Sequence, residues 1–121
     1  LKIYEERNIL DHVRSVAPHF QERLAEFGAS PIVGEARGVG LIGALEIVMD
    51  KSTRDQYSPE VKAGAQIAAT ALAKGLIVRA LPGDVIGICP PLIITKEQID
   101  ELFDALTSAV DDTANILKQA A

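Results

Sequence analysis

The sequence predicts an α+β domain, a two-layer sandwich in which helices cover an antiparallel sheet of about four strands. Three observations lead to this fold class. Segments of helical periodicity lie at the beginning, middle and end of the chain, and two pairs of extended segments lie between them. A turn rich in glycine or proline separates the strands of each pair, as in a hairpin. The resulting order is α-β-β-α-β-β-α within 121 residues, the length of one domain.

The first helix is predicted over residues 1–27. Apolar side chains recur there at steps of three and four, which lines one face: Leu10, Val13, Ala17, Phe20, Leu24 and Phe27. Pro18 lies inside this pattern, so we expect it to kink the helix or to begin a second segment. Gly28 directly follows the last apolar position and is the expected end of the helix.

Two strands are predicted at about 32–37 and 41–49, from β-forming residues and from glycines that disfavour a helix. A tight turn near Gly38 to Gly40 joins them. The stretch from Gly38 to Gly43 also matches GxGxxG, the dinucleotide-binding fingerprint. That fingerprint binds pyrophosphate where a helix follows it. A strand follows here, so we interpret the glycines as a turn.

The second helix is predicted from Ser58 to Lys74. Ser58 would cap it, Pro59 would occupy its first position and Gly75 would end it. Its inner face is expected to be small, with Ala65, Ala68 and Ala71 flanked by Val61 and Leu72. Lys74 could suggest a lysine that forms a Schiff base, but the helix dipole favours a cation at that end, and we adopt this simpler explanation.

A second hairpin is predicted after this helix. It consists of a strand from Leu76 to Leu81, a turn at Pro82-Gly83 and a strand from Val85 to Cys89. Pro90 and Pro91 end the pairing, because proline has no amide hydrogen to donate to a neighbouring strand.

The last helix is predicted to begin at Thr95, where Gln98 completes a capping box. Its apolar face follows from the spacing of three and four and consists of Ile99, Leu102, Phe103, Leu106, Ala109, Val110 and Leu117. With the other helices, it is expected to cover the sheet.

Composition and charge exclude several function classes. Hydrophobic residues make up 48% and charged residues 24%, as in ordinary globular proteins. Aromatic residues make up only 4%, and the net charge is −5 with scattered Lys and Arg, so neither nucleic acid nor a membrane is an expected partner. Leu1 to Arg7 does not resemble a signal peptide, and one cysteine cannot form an internal disulfide. We therefore expect a cytoplasmic protein.

Histidine and cysteine do not indicate a reactive or metal-binding site. His12 and His19 lie about two helical turns apart, too far for one metal ion without other ligands, and we expect both to face solvent. No paired Cys or His spacing suggests a metal site. Cys89 has no neighbouring base and is interpreted as a buried structural thiol.

Arg79 is the candidate binding residue. It follows an apolar run and precedes a tight turn, where its planar guanidinium can present two N–H groups to a carboxylate. The alternative is a solvated Arg79 that pairs with Asp84 across the hairpin. Arg37 also ends a strand, and we favour a structural role in which it hydrogen-bonds backbone carbonyls or a carboxylate.

Four short motifs follow one another along the chain: VGEARGVGLIGALEIV at 33–48, KGLIVRA at 74–80, Gly83-Asp84, and PPLIIT at 90–95. Their order and spacing resemble the end of the class-III pyridoxal-phosphate-dependent aminotransferases, and most closely the ω-amino acid:pyruvate branch. The resemblance covers essentially the whole chain. It implies that residues 1–121 are the C-terminal small domain of a fold-type I enzyme, without the large domain that binds the cofactor.

The resemblance also implies which residues act. The family's Schiff-base lysine, the aspartate facing the pyridine nitrogen and the phosphate-binding residues precede this segment, so we expect no catalytic residue and no bound cofactor here. Arg79 matches the mobile arginine that binds the substrate carboxylate and swings away from apolar groups. A structural role, shaping the domain interface, is implied for Arg37, Gly38, Gly40, Pro90 and Pro91.

The implied enzyme transfers an amino group from an amine or ω-amino acid to a 2-oxo acid such as pyruvate, using pyridoxal 5′-phosphate. Its expected partners are these substrates, its own large domain and the second subunit of a homodimer. Two alternatives stay open: a free-standing α+β ligand-binding or interaction module, and a related class-III enzyme with mutase or decarboxylase chemistry. Several hundred residues upstream of Leu1 would favour an enzyme over the module.

Overall fold

The computed structural model describes residues 2–120, without the side chains of Tyr4 and Ala120. The elements are α1 (Lys2–Glu6), α2 (Ile9–Ala25), a 3₁₀ turn (Glu26–Ala29), β1 (Val33–Val39), β2 (Ile42–Ile47), α3 (Ala63–Ala73), β3 (Arg79–Leu81), β4 (Val85–Ile88) and α4 (Lys96–Ala120). The strands form one antiparallel sheet in the order β1-β2-β4-β3. This confirms the predicted α+β class and the predicted sheet. Within residues 2–120, every helix is too short or too polar to traverse a bilayer.

The core lies between one face of the sheet and the helices. Side chains alternate between the two faces of a strand, and those that face the helices are 3% exposed or less: Leu45 and Ile47 on β2, and Ile86 and Ile88 on β4. Phe20 of α2 meets Phe103 of α4 edge to face, with ring centroids 5.0 Å apart. Each such ring contributes about 1.5–3 kcal/mol by its burial, so this packing holds the helical layer on the sheet.

The first helical segment breaks at a different residue from the one predicted. Asn8 has φ 48, in the left-handed region, and separates α1 from α2. Pro18 lies within α2 and does not interrupt it. Its side chain is exposed, so water can reach the backbone carbonyl that loses its helical partner.

The start of α3 was predicted too early. Ser58 to Val61 forms a turn closed by a hydrogen bond from Val61 N to Ser58 O, and the Ser58 hydroxyl donates to the Glu60 carboxylate instead of capping a helix. Lys62, with φ 54, then precedes the first helical residue. The buried face also differs from the predicted one, because Leu72 is 62% exposed and the buried residues are Ala63, Gly64, Ile67 and Ala71.

The second hairpin is shorter than predicted, since its first strand begins only at Arg79 and its second ends at Ile88. Cys89 is exposed, so the prediction of a buried thiol is wrong. The reason is the alternation of side chains: Ile88 points into the core, and the next residue points away from it.

Candidate functional site on the open face of the sheet

The open face of the sheet is the face turned away from the helices. Its members follow from the strand register and are Glu35, Arg37, Val39, Ile42, Ala44, Glu46, Arg79, Leu81, Val85 and Gly87. A bulge between Val33 and Glu35 inverts the alternation of β1, so that Val33 enters the core and Glu35 lies on the open face. Both candidate arginines therefore lie on the same surface.

One row of the open face joins the two arginines. Arg37 pairs with Ala44, Ala44 with Gly87, and Gly87 with Arg79. Three strand spacings separate the outer Cα atoms by about 14 Å. We call this row the trough: the small residues Ala44 and Gly87 form its floor, and an arginine lies at each end. Sequence reasoning missed this floor, because the pairing of β2 with β4 is not visible in either hairpin alone.

Arg37 is neutralised by two carboxylates. Its Nη1 lies 3.0 Å from Oε2 of Glu46 and 3.2 Å from Oε2 of Glu35. Arg37 therefore links β1 to β2 and has little capacity left for a further anion.

Arg79 differs from Arg37 in having no charged partner. It is exposed, and none of the ion pairs within residues 2–120 includes it. The alternative pair with Asp84 is not formed, because the carboxylate of Asp84 accepts a hydrogen bond from Gly64 N at 3.0 Å. The guanidinium of Arg79 is accordingly available to an external carboxylate.

Exposed apolar side chains surround this surface. Val39 is 75% exposed and Ile42 is 58% exposed on the open face, and Ile77, two residues before Arg79, is 82% exposed. Exposed aliphatic side chains that lie together are typical of surfaces that bind another protein domain or a ligand. The open face therefore combines one available cation with apolar surroundings.

The other residues assigned from the sequence lie within β1, in the turn after it, or directly after β4. Gly38 has no room for a side chain, because a Cβ would overlap the carbonyl of Ile42 and the side chain of Leu24. Gly40 lies in the turn between β1 and β2. Pro90 and Pro91 follow β4, and the carbonyl of Pro91 accepts from Ile94 N at 3.1 Å.

The two histidines do not face solvent as predicted. Both are half-buried beside the last helix or the loop before it. His12 Nε2 donates to the carbonyl of Ile94 at 2.7 Å, and His19 Nε2 lies 2.7 Å from Oδ1 of Asp100. Arg23 binds the same Asp100 oxygen at 2.7 Å, and this hydrogen bond is the main reason why the pKa of Asp100 is lowered. These contacts join α2 to α4, and no cluster of metal-ligating side chains occurs in the described part of the chain.

Comparison with solved structures places this fold among the transaminases. The chain superposes on the PMP-bound aminotransferase of Vibrio fluvialis with a TM-score of 0.84 and 39% sequence identity. The match covers 88% of this chain and 24% of that chain. At this identity the likeness concerns the sequence as well as the fold.

Sequence comparison identifies the family. The model of the family "Aminotransferase class-III" matches residues 1–110. The chain is 44% identical over 112 residues to the uncharacterized aminotransferase y4uB of Sinorhizobium fredii, covering 91% of this chain and 24% of that protein. It is 42% identical over 113 residues to the mitochondrial gamma aminobutyrate transaminase 1 of Solanum lycopersicum, covering 93% and 22%. The chain belongs to the class-III aminotransferases, and it spans about a quarter of the length of these curated relatives.

Two lysines and two helix N-termini of the described residues are already engaged and do not fit pyridoxal phosphate, the cofactor of this family. Lys51 donates to the carbonyls of Gly28 and Ser30, and Lys74 pairs with Asp112 at 3.0 Å. The N-terminus of α3 holds the Asp84 carboxylate, which would repel a phosphate, and a capping box occupies the N-terminus of α4. What these residues provide instead is the available guanidinium of Arg79 on a sheet face with exposed apolar residues.

Proposed function

We propose that residues 1–121 form the C-terminal small domain of a pyridoxal-phosphate-dependent aminotransferase. The complete enzyme would transfer an amino group from an amine or ω-amino acid to a 2-oxo acid such as pyruvate. Arg79 binds the carboxylate of the acid. The observation that carries this proposal is the available guanidinium of Arg79, exposed and outside every ion pair of residues 2–120. The similarity to a gamma aminobutyrate transaminase supports an ω-amino acid as donor.

The chemistry of Arg79 is binding and orientation. Two parallel N–H groups of a guanidinium fit the two oxygens of a carboxylate, and arginine keeps its charge at every physiological pH. Ala44 and Gly87 place no long side chain in the trough beside it, and Cδ1 of Leu81 borders position 87. Because Arg79 has no fixed partner within residues 2–120, its side chain can also turn to solvent when the substrate presents an apolar group. The cofactor, held by the rest of the enzyme, would supply the electron sink for the amino transfer.

The open face would dock on the large domain of the same enzyme. Its exposed apolar residues Val39 and Ile42 would be removed from water there, and the lower local dielectric would strengthen the bond between Arg79 and a carboxylate. The second subunit of a homodimer would complete the assembly. A single unpaired thiol at Cys89 supports a reducing compartment such as the cytoplasm.

Replacing the arginine in the full-length enzyme tests this proposal. With Arg79→Ala, kcat/KM for pyruvate should fall by roughly 10- to 100-fold, the loss of a charge-assisted hydrogen-bond pair. Simple amines without a carboxylate should keep most of their kcat/KM, because they do not use the guanidinium. Arg14→Ala is the matched control, since Arg14 is 77% exposed on α2 and pairs only with Asp11 among the described residues. Equal losses for pyruvate and for simple amines would refute the role of Arg79.

A further inference from the structure

The strand that carries Arg79 is weakly held by its own pairing. β3 has three residues, forms the edge of the sheet and pairs only with β4. A short edge strand of this kind does not by itself keep a side chain in one place. The position of Arg79 therefore depends on what fixes the rest of the β3–β4 hairpin.

Asp84 anchors the tip of this hairpin to two other elements. Its Oδ1 accepts a hydrogen bond from Gly64 N, at the second residue of α3, at a distance of 3.0 Å. Its backbone carbonyl accepts from Ile47 N, at the end of β2, at 2.9 Å. One residue of the tip thus contacts both the helical layer and a central strand.

The helix depends on Asp84 in return. The residue before α3 is Lys62, and its side chain makes no capping hydrogen bond. The carboxylate of Asp84 therefore caps α3 from a distant part of the chain, where the helix dipole also favours a negative charge. Gly64 allows the close approach, because a Cβ there would lie 3.2 Å from the Cα of Asp84.

We propose that Asp84 is a positioning residue for carboxylate binding: by fixing the hairpin on α3, it sets the point from which the Arg79 guanidinium reaches the substrate. This inference rests on the proposed function of Arg79. Asp84 itself does not touch the substrate. Its effect passes through the backbone of the hairpin, with the side chain at one end and Arg79 at the other.

The test uses steady-state kinetics of the full-length enzyme with pyruvate and with a simple amine. Asp84→Ala should raise KM for pyruvate about fivefold, an effect of the size expected for a lost helix cap, with kcat and amine use nearly unchanged. Asp84→Asn keeps an oxygen acceptor and should restore pyruvate binding to within about twofold of the wild type. Gly64→Ala would place a Cβ 3.2 Å from the Cα of Asp84 and displace the hairpin from the helix side. It should weaken pyruvate binding selectively, and it provides a test if Asp84→Ala folds poorly.

Two further measurements separate positioning from stability. Thr95→Ala removes the cap of α4, where Thr95 Oγ1 accepts from Gln98 N at 3.2 Å, so it should lower Tm without raising KM for pyruvate. In an Arg79→Ala background, Asp84→Ala should cause no further loss of kcat/KM for pyruvate, because its effect passes through Arg79.

The results distinguish this inference from the function on which it rests. Suppose that Arg79→Ala impairs the use of pyruvate but not of simple amines, while Asp84→Ala and Gly64→Ala, like Thr95→Ala, lower Tm without raising KM for pyruvate. The positioning role of Asp84 is then overturned and the function of Arg79 stands. If Asp84→Ala and Arg79→Ala cause additive losses, Asp84 does not act through Arg79 and the inference also fails. If Arg79→Ala leaves pyruvate use intact, both proposals fall.

Discussion

Two arginines in one row of the sheet have different surroundings. Arg37 lies within 3.2 Å of two carboxylates, while Arg79 has only glycine beside it on β4. The sequence predicted both arginines at strand ends with acidic residues nearby, so it left both roles open. In the structure Arg37 lies inside β1 (Val33–Val39), and the register shows which acidic residues each arginine meets. The bulge in β1 brings Glu35 beside Glu46, and the capping of α3 takes Asp84 away from Arg79.

Filling the trough beside Arg79 should impair carboxylate binding. A Cβ at position 87 would lie 3.3 Å from Cδ1 of Leu81 and 3.9 Å from the Cβ of Arg79, so Gly87→Val would crowd the side chains on both sides of the trough at β3. We expect KM for pyruvate to rise roughly 3- to 10-fold, as for about 1 kcal/mol of lost binding, with a smaller rise for Gly87→Ala. Kinetics of the full-length variants measure this. An unchanged KM for pyruvate in Gly87→Val would mean that the substrate does not bind next to Gly87.

At the scale of elements, the sequence predicted those features that depend on neighbouring residues. The capping box of α4 is confirmed, with Thr95 N donating to Gln98 Oε1 at 3.1 Å and Gln98 N donating to Thr95 Oγ1. The start of α3 was missed because its cap comes from Asp84, 20 residues beyond Gly64. The half-buried histidines were missed for the same reason, since their partners lie on or beside α4.

The contacts of His19 and Arg23 on α2 with Asp100 on α4, here called the clamp, should make the stability of the domain depend on pH in the acid range. Asp100 accepts from Arg23 and contacts His19, and its pKa is lowered mainly by the Arg23 hydrogen bond and then by the one with His19. A carboxylate whose pKa is depressed by folding stabilises the folded state above its unfolded pKa, near about 4. That stabilisation is lost as the pH falls through the folded pKa. Asp100→Asn should therefore lower Tm at neutral pH, and the difference from wild type should shrink below about pH 4.

Thermal unfolding of the two proteins across pH checks this expectation. Asp11→Asn serves as the control, because Asp11 pairs with Arg14 at 3.4 Å and both side chains are 77% exposed. It should leave Tm unchanged at every pH. A constant Tm difference for Asp100→Asn down to strongly acidic pH would show that the carboxylate charge does not stabilise the clamp.

At the scale of the whole molecule, helices cover only one of the two faces of the sheet. Its helical layer covers one face of the sheet, while the other face presents Arg79 together with the exposed aliphatic residues Val39 and Ile42. Hydrophobic periodicity predicted the layers and the element order, since both follow from which residues avoid water. It could not predict which face stays open, because that depends on how the two hairpins pair. The open face agrees with the proposal that Arg79 binds substrate while the rest of the enzyme completes the catalytic site.

The most direct test of the account is a crystal structure of the full-length enzyme with a 2-oxo acid, or a non-reactive analogue of one, bound in the active site. The account predicts that the Arg79 guanidinium makes two hydrogen bonds of about 2.7–2.9 Å to the two oxygens of the ligand's carboxylate. It also predicts that the open face is buried against the large domain. A carboxylate held by a different residue, with Arg79 in solvent or in a fixed ion pair elsewhere, would contradict it.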